Sequence, residues 1–146
     1  MYWRTRYAGY RTDLGIIGMG RIGKALAKRA NALGMDVIYH NRRQLCIEDE
    51  TKLNVTYVSK EELLAKADFV SLNAPYTPDT YHILGEEEFK QMKPSAILIN
   101  TARGPLVDEH ALVKPCEKVR FMVPVWMYSS LETILSPSYW KWTTWY

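Results

Sequence analysis

The stretch Gly18-Met19-Gly20-Arg21-Ile22-Gly23 constrains this chain more than any other six residues in it. Its three glycines follow the apolar run Leu14-Gly15-Ile16-Ile17, as expected for a strand buried on both faces. After them Ile22, Leu26, Ala30 and Leu33 recur at helical spacing, and Gly34 supplies a C-terminal stop, which predicts a helix over 21–34. Without its flanks the glycine pattern is only a turn. Between a strand and a helix it is a dinucleotide motif. The first glycine permits the tight turn, the second lets a pyrophosphate approach the backbone, and the third allows the helix to pack closely on the strand. The N–H groups and dipole of the helix start then favour the anion.

The same alternation continues down the chain. Residues 36–39 read as a strand, followed by a polar loop opening at Asn41-Arg42-Arg43. Ser59 with Glu62 forms a capping-box pattern for a short helix over 60–67. Strands are predicted over 68–72 and 96–100, separated by the Pro75 and Pro78 loop and a helix over 86–92 that Pro94 stops. Asp108 starts a further helix expected to run past Val113. Strands alternating with helices imply right-handed crossovers and a mostly parallel sheet. The fold class is therefore α/β, a Rossmann-type doubly wound domain over 13–113. It lies between an atypical N-terminal segment, 1–12, and an atypical aromatic-rich tail, 114–146.

Composition narrows the partners. Nineteen Lys and Arg against sixteen Asp and Glu give a net charge of +3. The basic residues are dispersed rather than gathered into a stripe, so no nucleic-acid surface is expected. No apolar run approaches the length of a membrane span, and no signal-peptide core is present. Cys46 and Cys116 stand at no metal-ligand spacing, which suits a reduced, cytoplasmic setting and no metal site.

The loop after the second strand selects the cofactor. A carboxylate there, roughly 20 residues beyond the glycines, binds the ribose 2′-OH of NAD. This chain has Asn41, Arg42 and Arg43 instead. A guanidinium can bind a 2′-phosphate bidentately, so NADP(H) is expected in preference to NAD(H). The alternative reading is that the two arginines are solvated loop residues with no ligand to bind.

With these residues the chain resembles the D-isomer-specific 2-hydroxyacid dehydrogenases, nearest to their glyoxylate/hydroxypyruvate and 2-ketoacid reductase branch. Two blocks, LGIIGMGRIGKALAKRANALGMDVIYHNRR and ADFVSLNAPYTPDTYHILGEEEFKQMKPSAILINTARGPLVDEHALV, carry the likeness. The resemblance implies hydride transfer between a nicotinamide and a small 2-keto or 2-hydroxy acid. It places Gly18, Gly20, Arg21, Ile22 and Gly23 at the pyrophosphate, and Asn41 and Arg42 at the adenine ribose, beside Arg43 of the loop reading. Ala74, Pro75 and Thr80 would line the cofactor cleft, and Thr101 and Ala102 would approach the nicotinamide. Arg103 matches the arginine that binds the substrate carboxylate and polarises its keto oxygen, tasks for a fixed cation near developing negative charge. Asp108 and Glu109 read as helix caps. A homodimer through this domain is also implied, as is a substrate domain built mostly ahead of the glycine motif. His40, His82 and His110 match no family histidine and read as surface or packing residues.

After Val113 the likeness stops. The family's strand of the form A-G-L-D-V-F, its glutamate and its Pro-His pair have no counterpart in KPCEKVRFMVPVWMYSSLETILSPSYWKWTTWY. The histidine is the family's general acid/base, tuned by the glutamate. Four of the five tryptophans, Trp126, Trp140, Trp142 and Trp145, lie here. Reading the third base of each codon with the first two of the next suggests why. Met122 with Val123 must give Gly, Trp126 with Met127 must give Asp, and Trp142 with Thr143 must give Asp. Filling in the free codon choices, Lys114 to Tyr128 decodes to A-L-R-E-G-T-I-Y-G-A-G-L-D-V-F. The tail is thus expected to be a shifted reading of a dehydrogenase gene, to lack the closing strand and helices, and to expose apolar surface. Coding DNA that gives no such reading ends the idea. Three functions then compete: a defective dehydrogenase that binds cofactor without turnover, a non-catalytic nucleotide-binding module of the corepressor kind, and a remnant that folds poorly.

Overall fold

The computed structural model describes residues 12–112 and the backbone of 123–126. Six strands form one parallel sheet: β1 Asp13–Ile17, β2 Asp36–His40, β3 Thr56–Tyr57, β4 Phe69–Leu72, β5 Ile97–Asn100 and β6 Val123–Trp126. Their order is β3-β2-β1-β4-β5-β6. The chain runs outward from β1 to one edge, returns, and runs outward to the other. This is the doubly wound order with its switch point between β1 and β4.

The helices between them are α1 Arg21–Ala32, α2 Ile47–Leu53, α3 Lys60–Lys66 and α4 Glu86–Gln91, with short 3-10 turns at Pro78–Thr80 and Gly104–Leu106. Alternate residues of the strands serve opposite faces. Leu14 and Ile16, with Val37 and Tyr39, pack beside Ala27 and Ala30 of α1 and Leu53 of α2. Ile17, Val70, Leu72 and Leu98 join Leu63 and Leu64 of α3 and Phe89 of α4 in the other cluster. A Cβ on Gly15 would fall 2.5 Å from the Leu63 side chain, so this glycine lets α3 lie close against β1. Ser59 caps α3, accepting from the Glu62 N–H at 3.1 Å. Gly34 ends the α1 region in the left-handed conformation, φ +80°.

Four features differ from the sequence reading. The buried stripe of α1 is Gly23, Ala27 and Ala30, whereas Ile22 and Leu33 are 70% and 82% exposed. Ile22 lies in the first turn at the sheet edge and Leu33 caps the helix, so neither can reach the core. Helix α2 and strand β3 fill what reads as a polar loop. Of the two buried residues of α2, Glu50 and Leu53, the first is polar and accepts from the Tyr39 hydroxyl at 2.6 Å and from Gln44 Nε2 at 3.0 Å. Its polarity hides the helical period.

The fourth difference concerns the tail. The closing strand expected to be lost is present as β6, paired along its length with β5 from Ile97↔Val123 to Asn100↔Trp126. Val123 and Val125 are good strand formers. Pro124 is tolerated because β6 is the last strand in the order among the described residues, where a missing N–H costs least. Residues 109–112 are helical, with Asp108 Oδ1 accepting from the Ala111 N–H at 3.1 Å. The expected continuation of this helix, the first eleven residues, Cys116 and residues 127–146 lie outside the described residues.

Candidate functional site

Parallel strands end on the same side, so their registers define the site's floor. His40, Ile17, Leu72, Asn100 and Trp126 form the last rung across the sheet from β2 to β6. Each group of candidate residues follows that rung by one to eight positions. Gly18–Gly23 leaves β1, Asn41–Arg43 leaves β2, Ala74–Thr80 leaves β4, and Thr101–Arg103 leaves β5. They meet at the carboxyl edge, over the switch point, where open α/β sheets bind ligands.

The three motif glycines have separable reasons. Gly18 has φ +100°, and a Cβ there would lie 2.5 Å from the Ala74 backbone nitrogen. It therefore joins the end of β1 to the loop after β4. A Cβ on Gly23 would collide with the Gly18 carbonyl oxygen, which locks α1 onto the turn. Gly20 is different. A Cβ there would meet nothing within 4 Å among the described residues, so none of their packing requires glycine. It opens a cradle at the start of α1. Among the described residues no side chain caps that helix start, and no acidic residue lies in its first turn, where Arg21 stands instead. The first turns of α2, α3 and α4 all carry glutamates. Unsatisfied N–H groups, a positive helix end and an open backbone together suit a pyrophosphate.

The neighbouring loops are held from behind. Asn41 Oδ1 accepts the Met19 N–H at 2.7 Å, so this side chain braces the glycine turn. The loop beyond it is tied down by the Tyr39 hydroxyl, which accepts the Leu45 N–H at 2.9 Å. Burial and the hydrogen bond to the Glu50 carboxylate push the Tyr39 pKa far up, keeping it an O–H donor. Arg42 and Arg43 project from this loop into solvent. Arg42 Nη1 pairs with Asp79 Oδ2 at 3.2 Å, whereas Arg43 makes no ion pair among the described residues.

After β4, Ala74 is buried against the glycine turn and Pro75 is exposed. The Thr80 hydroxyl donates to the Pro75 carbonyl at 2.8 Å and accepts the Thr77 N–H at 2.7 Å. It closes its own loop. After β5, buried Asn100 shapes the turn that carries Arg103. Its Oδ1 accepts the Ala102 N–H at 3.1 Å and its Nδ2 donates to the Arg103 carbonyl at 2.8 Å. The Arg103 guanidinium is exposed and donates to the Ala102 carbonyl, with no carboxylate partner among the described residues. Thr101 is exposed beside it.

Two of the three histidines stack on tyrosines. His40 Nδ1 lies 3.0 Å from the Val58 carbonyl and its ring stacks on Tyr57. His82 stacks on Tyr81, with Nδ1 3.9 Å from Asp108 Oδ2, and His110 is exposed. The sequence reading passed over Asn100, Tyr39, Glu50 and Asp79. Position could have marked Asn100, one residue before Thr101, and Asp79, inside the loop after β4, but nothing in the pattern marks Tyr39 or Glu50.

The model of the D-isomer specific 2-hydroxyacid dehydrogenase NAD binding domain matches residues 3–122. The chain belongs to this family. The match runs past both ends of the 13–113 body. The glyoxylate reductase of Thermococcus litoralis is 54% identical over 101 residues, which are 69% of this chain and 30% of that protein. The 4-methyl-2-oxopentanoate reductase A of Aspergillus oryzae is 53% identical over 100 residues, 68% of this chain and 30% of that one. Among solved structures, a glyoxylate reductase from Paecilomyes thermophila superposes with TM-score 0.79 at 43% identity, covering 88% of this chain and 39% of that one. A D-lactate dehydrogenase from Aquifex aeolicus, solved with NAD and lactic acid, gives TM-score 0.77 at 36% identity over 89% and 38%. This dehydrogenase domain thus spans 30% of the length of the first curated relative it matches. Among its described residues no helix is long and apolar enough to cross a membrane, and no cluster of residues could hold a metal ion.

Proposed function

We propose that the chain binds NADP(H) in preference to NAD(H) across the β1/β4 switch point, and that its family activity is reduction of a small 2-keto acid of the glyoxylate or hydroxypyruvate kind. The observation that carries the reading is the open cradle at Gly20, beside an uncapped helix start and two arginines at the end of β2. Gly18, Gly20, Arg21, Ile22 and Gly23 hold the pyrophosphate. Arg42 and Arg43 receive the 2′-phosphate, with Asn41 bracing the turn beside them. Ala74, Pro75 and Thr80 form the wall opposite, and Thr101 and Ala102 face the nicotinamide. The dinucleotide, when bound, supplies or accepts the hydride. Arg103, held on the Asn100 turn and unpaired by any described carboxylate, anchors the substrate carboxylate and draws charge towards the keto oxygen.

The A-G-L-D-V-F strand of the family and the glutamate that follows it have no sequence counterpart after Val113, and on that ground residues 1–146 alone bind cofactor without turnover. A shifted reading frame from about Lys114 accounts for that loss, and the body over 13–113 is the cofactor-binding unit. A thermal melt with and without excess NADPH or NADH tests the binding. A ligand at a hundred times its Kd stabilises by about 2.7 kcal/mol. The expected result is a larger rise in Tm with NADPH than with NADH. Equal shifts would remove the NADP preference, and no shift with either would remove the cofactor site. Glyoxylate or hydroxypyruvate turnover by the isolated chain would contradict binding without catalysis.

A further inference from the structure

Asp79 stands 37 positions from Arg42 in sequence, and the fold brings the two side chains to 3.2 Å across the carboxyl edge of the sheet. Both ends of the pair rest on fixed backbone. The Pro78–Thr80 turn is closed by the Thr80 hydroxyl on Pro75 and Thr77. On the other side, Asn41 precedes Arg42 and is held by the Met19 N–H. The side chains themselves are 82% and 72% exposed, so the pair opens readily in water. The end of β2 has no carboxylate of its own, yet the loop after β4 delivers one to the guanidinium that would read a 2′-phosphate.

We propose that Asp79 is a specificity-determining residue that weakens NADP(H) binding by competing with the 2′-phosphate for Arg42. The proposal rests on the reading of Arg42 given above. A phosphate reaching Arg42 must displace the Asp79 carboxylate or share the guanidinium with it. Sharing is sterically open to a five-donor fork, but it sets two anions within a few ångströms of each other. NADH carries no charge at that position and meets no competitor. Arg43, with no ion pair among the described residues, is available to a phosphate in either case. The cofactor preference of this chain is therefore set by the difference between two arginines, one engaged and one not.

Titration of the full chain with NADPH and with NADH, for wild type, Asp79→Asn, Arg42→Gln and the double variant, tests this. Both side chains are exposed, and melts without cofactor confirm that each variant folds. Asp79→Asn is expected to tighten NADPH by about two- to fivefold, the range open to a surface pair, while NADH changes less. In the Arg42→Gln background the same substitution is expected to do nothing, because the competition has lost its object. Arg42→Gln alone should lower the NADPH-to-NADH preference. If it does so while Asp79→Asn leaves the preference unchanged or lowers it, the role of Asp79 is overturned and Arg42 stands. If Asp79→Asn acts equally with and without Arg42, competition is overturned in favour of simple repulsion. If Arg42→Gln leaves the preference unchanged, the reading of Arg42 itself fails.

Discussion

At the scale of single residues, Gly20 and Gly23 carry the same letter for opposite reasons. Gly23 has no room for a Cβ because the Gly18 carbonyl oxygen occupies it, whereas Gly20 faces open space. Gly20 also sits at φ −82°, a conformation open to any residue. Gly23→Ala should therefore lower the stability of the unliganded chain by about 1–3 kcal/mol, the usual cost of overpacking. Gly20→Ala should leave the unliganded Tm nearly unchanged and abolish the rise produced by NADPH, because the added methyl fills the cradle. Melts of both variants with and without NADPH check this. A Gly20→Ala chain still shifted by NADPH would mean that the pyrophosphate does not approach there. The spacing of the glycines was legible in the sequence, but their division of labour was not, since it depends on which atom each Cβ would meet. Asn100 was illegible for a related reason. An asparagine ending an apolar run is ordinary until its two amide atoms are seen to bond the Ala102 N–H and the Arg103 carbonyl.

At the scale of elements, legibility followed the purity of the apolar period. β1, β4 and β5 are short apolar runs and were readable. α2 was not, because its buried positions are Glu50 and Leu53. The α4 helix shows a polar residue fastening two elements at once. Glu88 Oε2 accepts the Gly85 N–H at 3.0 Å at the helix start, and Oε1 takes Lys60 Nζ of α3 at 2.7 Å. Burial pulls its pKa upwards, but the Lys60 hydrogen bond and the backbone N–H groups outweigh it and leave the carboxyl below its ordinary value. The sign follows from linkage. A carboxyl with a depressed folded pKa contributes stability above its unfolded value, near 4.5, and loses it as pH falls through the folded one. Glu88→Ala removes a cap and leaves a half-buried lysine without its partner, at a cost of about 1–3 kcal/mol at pH 7. Denaturant melts at pH 7 and pH 3 should show the penalty shrinking at the lower pH. An equal penalty at both would mean that packing, not charge, is what Glu88 supplies.

At the scale of the molecule, the strand–helix alternation made the doubly wound class readable. The full strand order and its switch point were not readable, because β3 and β6, which stand at the two ends of the order, were not read as strands. β6 escaped because its sequence, Val123-Pro124-Val125-Trp126, has a proline where a strand pattern is sought. One further consequence of the parallel order is that stability and binding can be changed separately at opposite ends of β1. Gly18 follows its carboxyl end, while Asp13 stands at its amino end beside Asp68 and Asp36. Burial first, then the Asp68 and Asp36 carboxylates, raise the Asp13 pKa, with Lys93 and Lys66 opposing. A carboxyl raised in the folded state is most favourable below its unfolded value, near 3.8, and its contribution is lost as pH rises through the folded one. At pH 7 the charged Asp13 is therefore a net burden on the fold. Asp13→Asn keeps the backbone N–H that donates to Asp68 Oδ2 and removes the charge. The expected result is a higher Tm at pH 7, a gain that vanishes towards pH 3, and an unchanged further rise on adding NADPH. A variant that gained stability at neutral pH but lost the NADPH response would show the two ends of the strand to be coupled, and a variant less stable at pH 7 would show that Asp13 is held there by its lysines rather than against its aspartates.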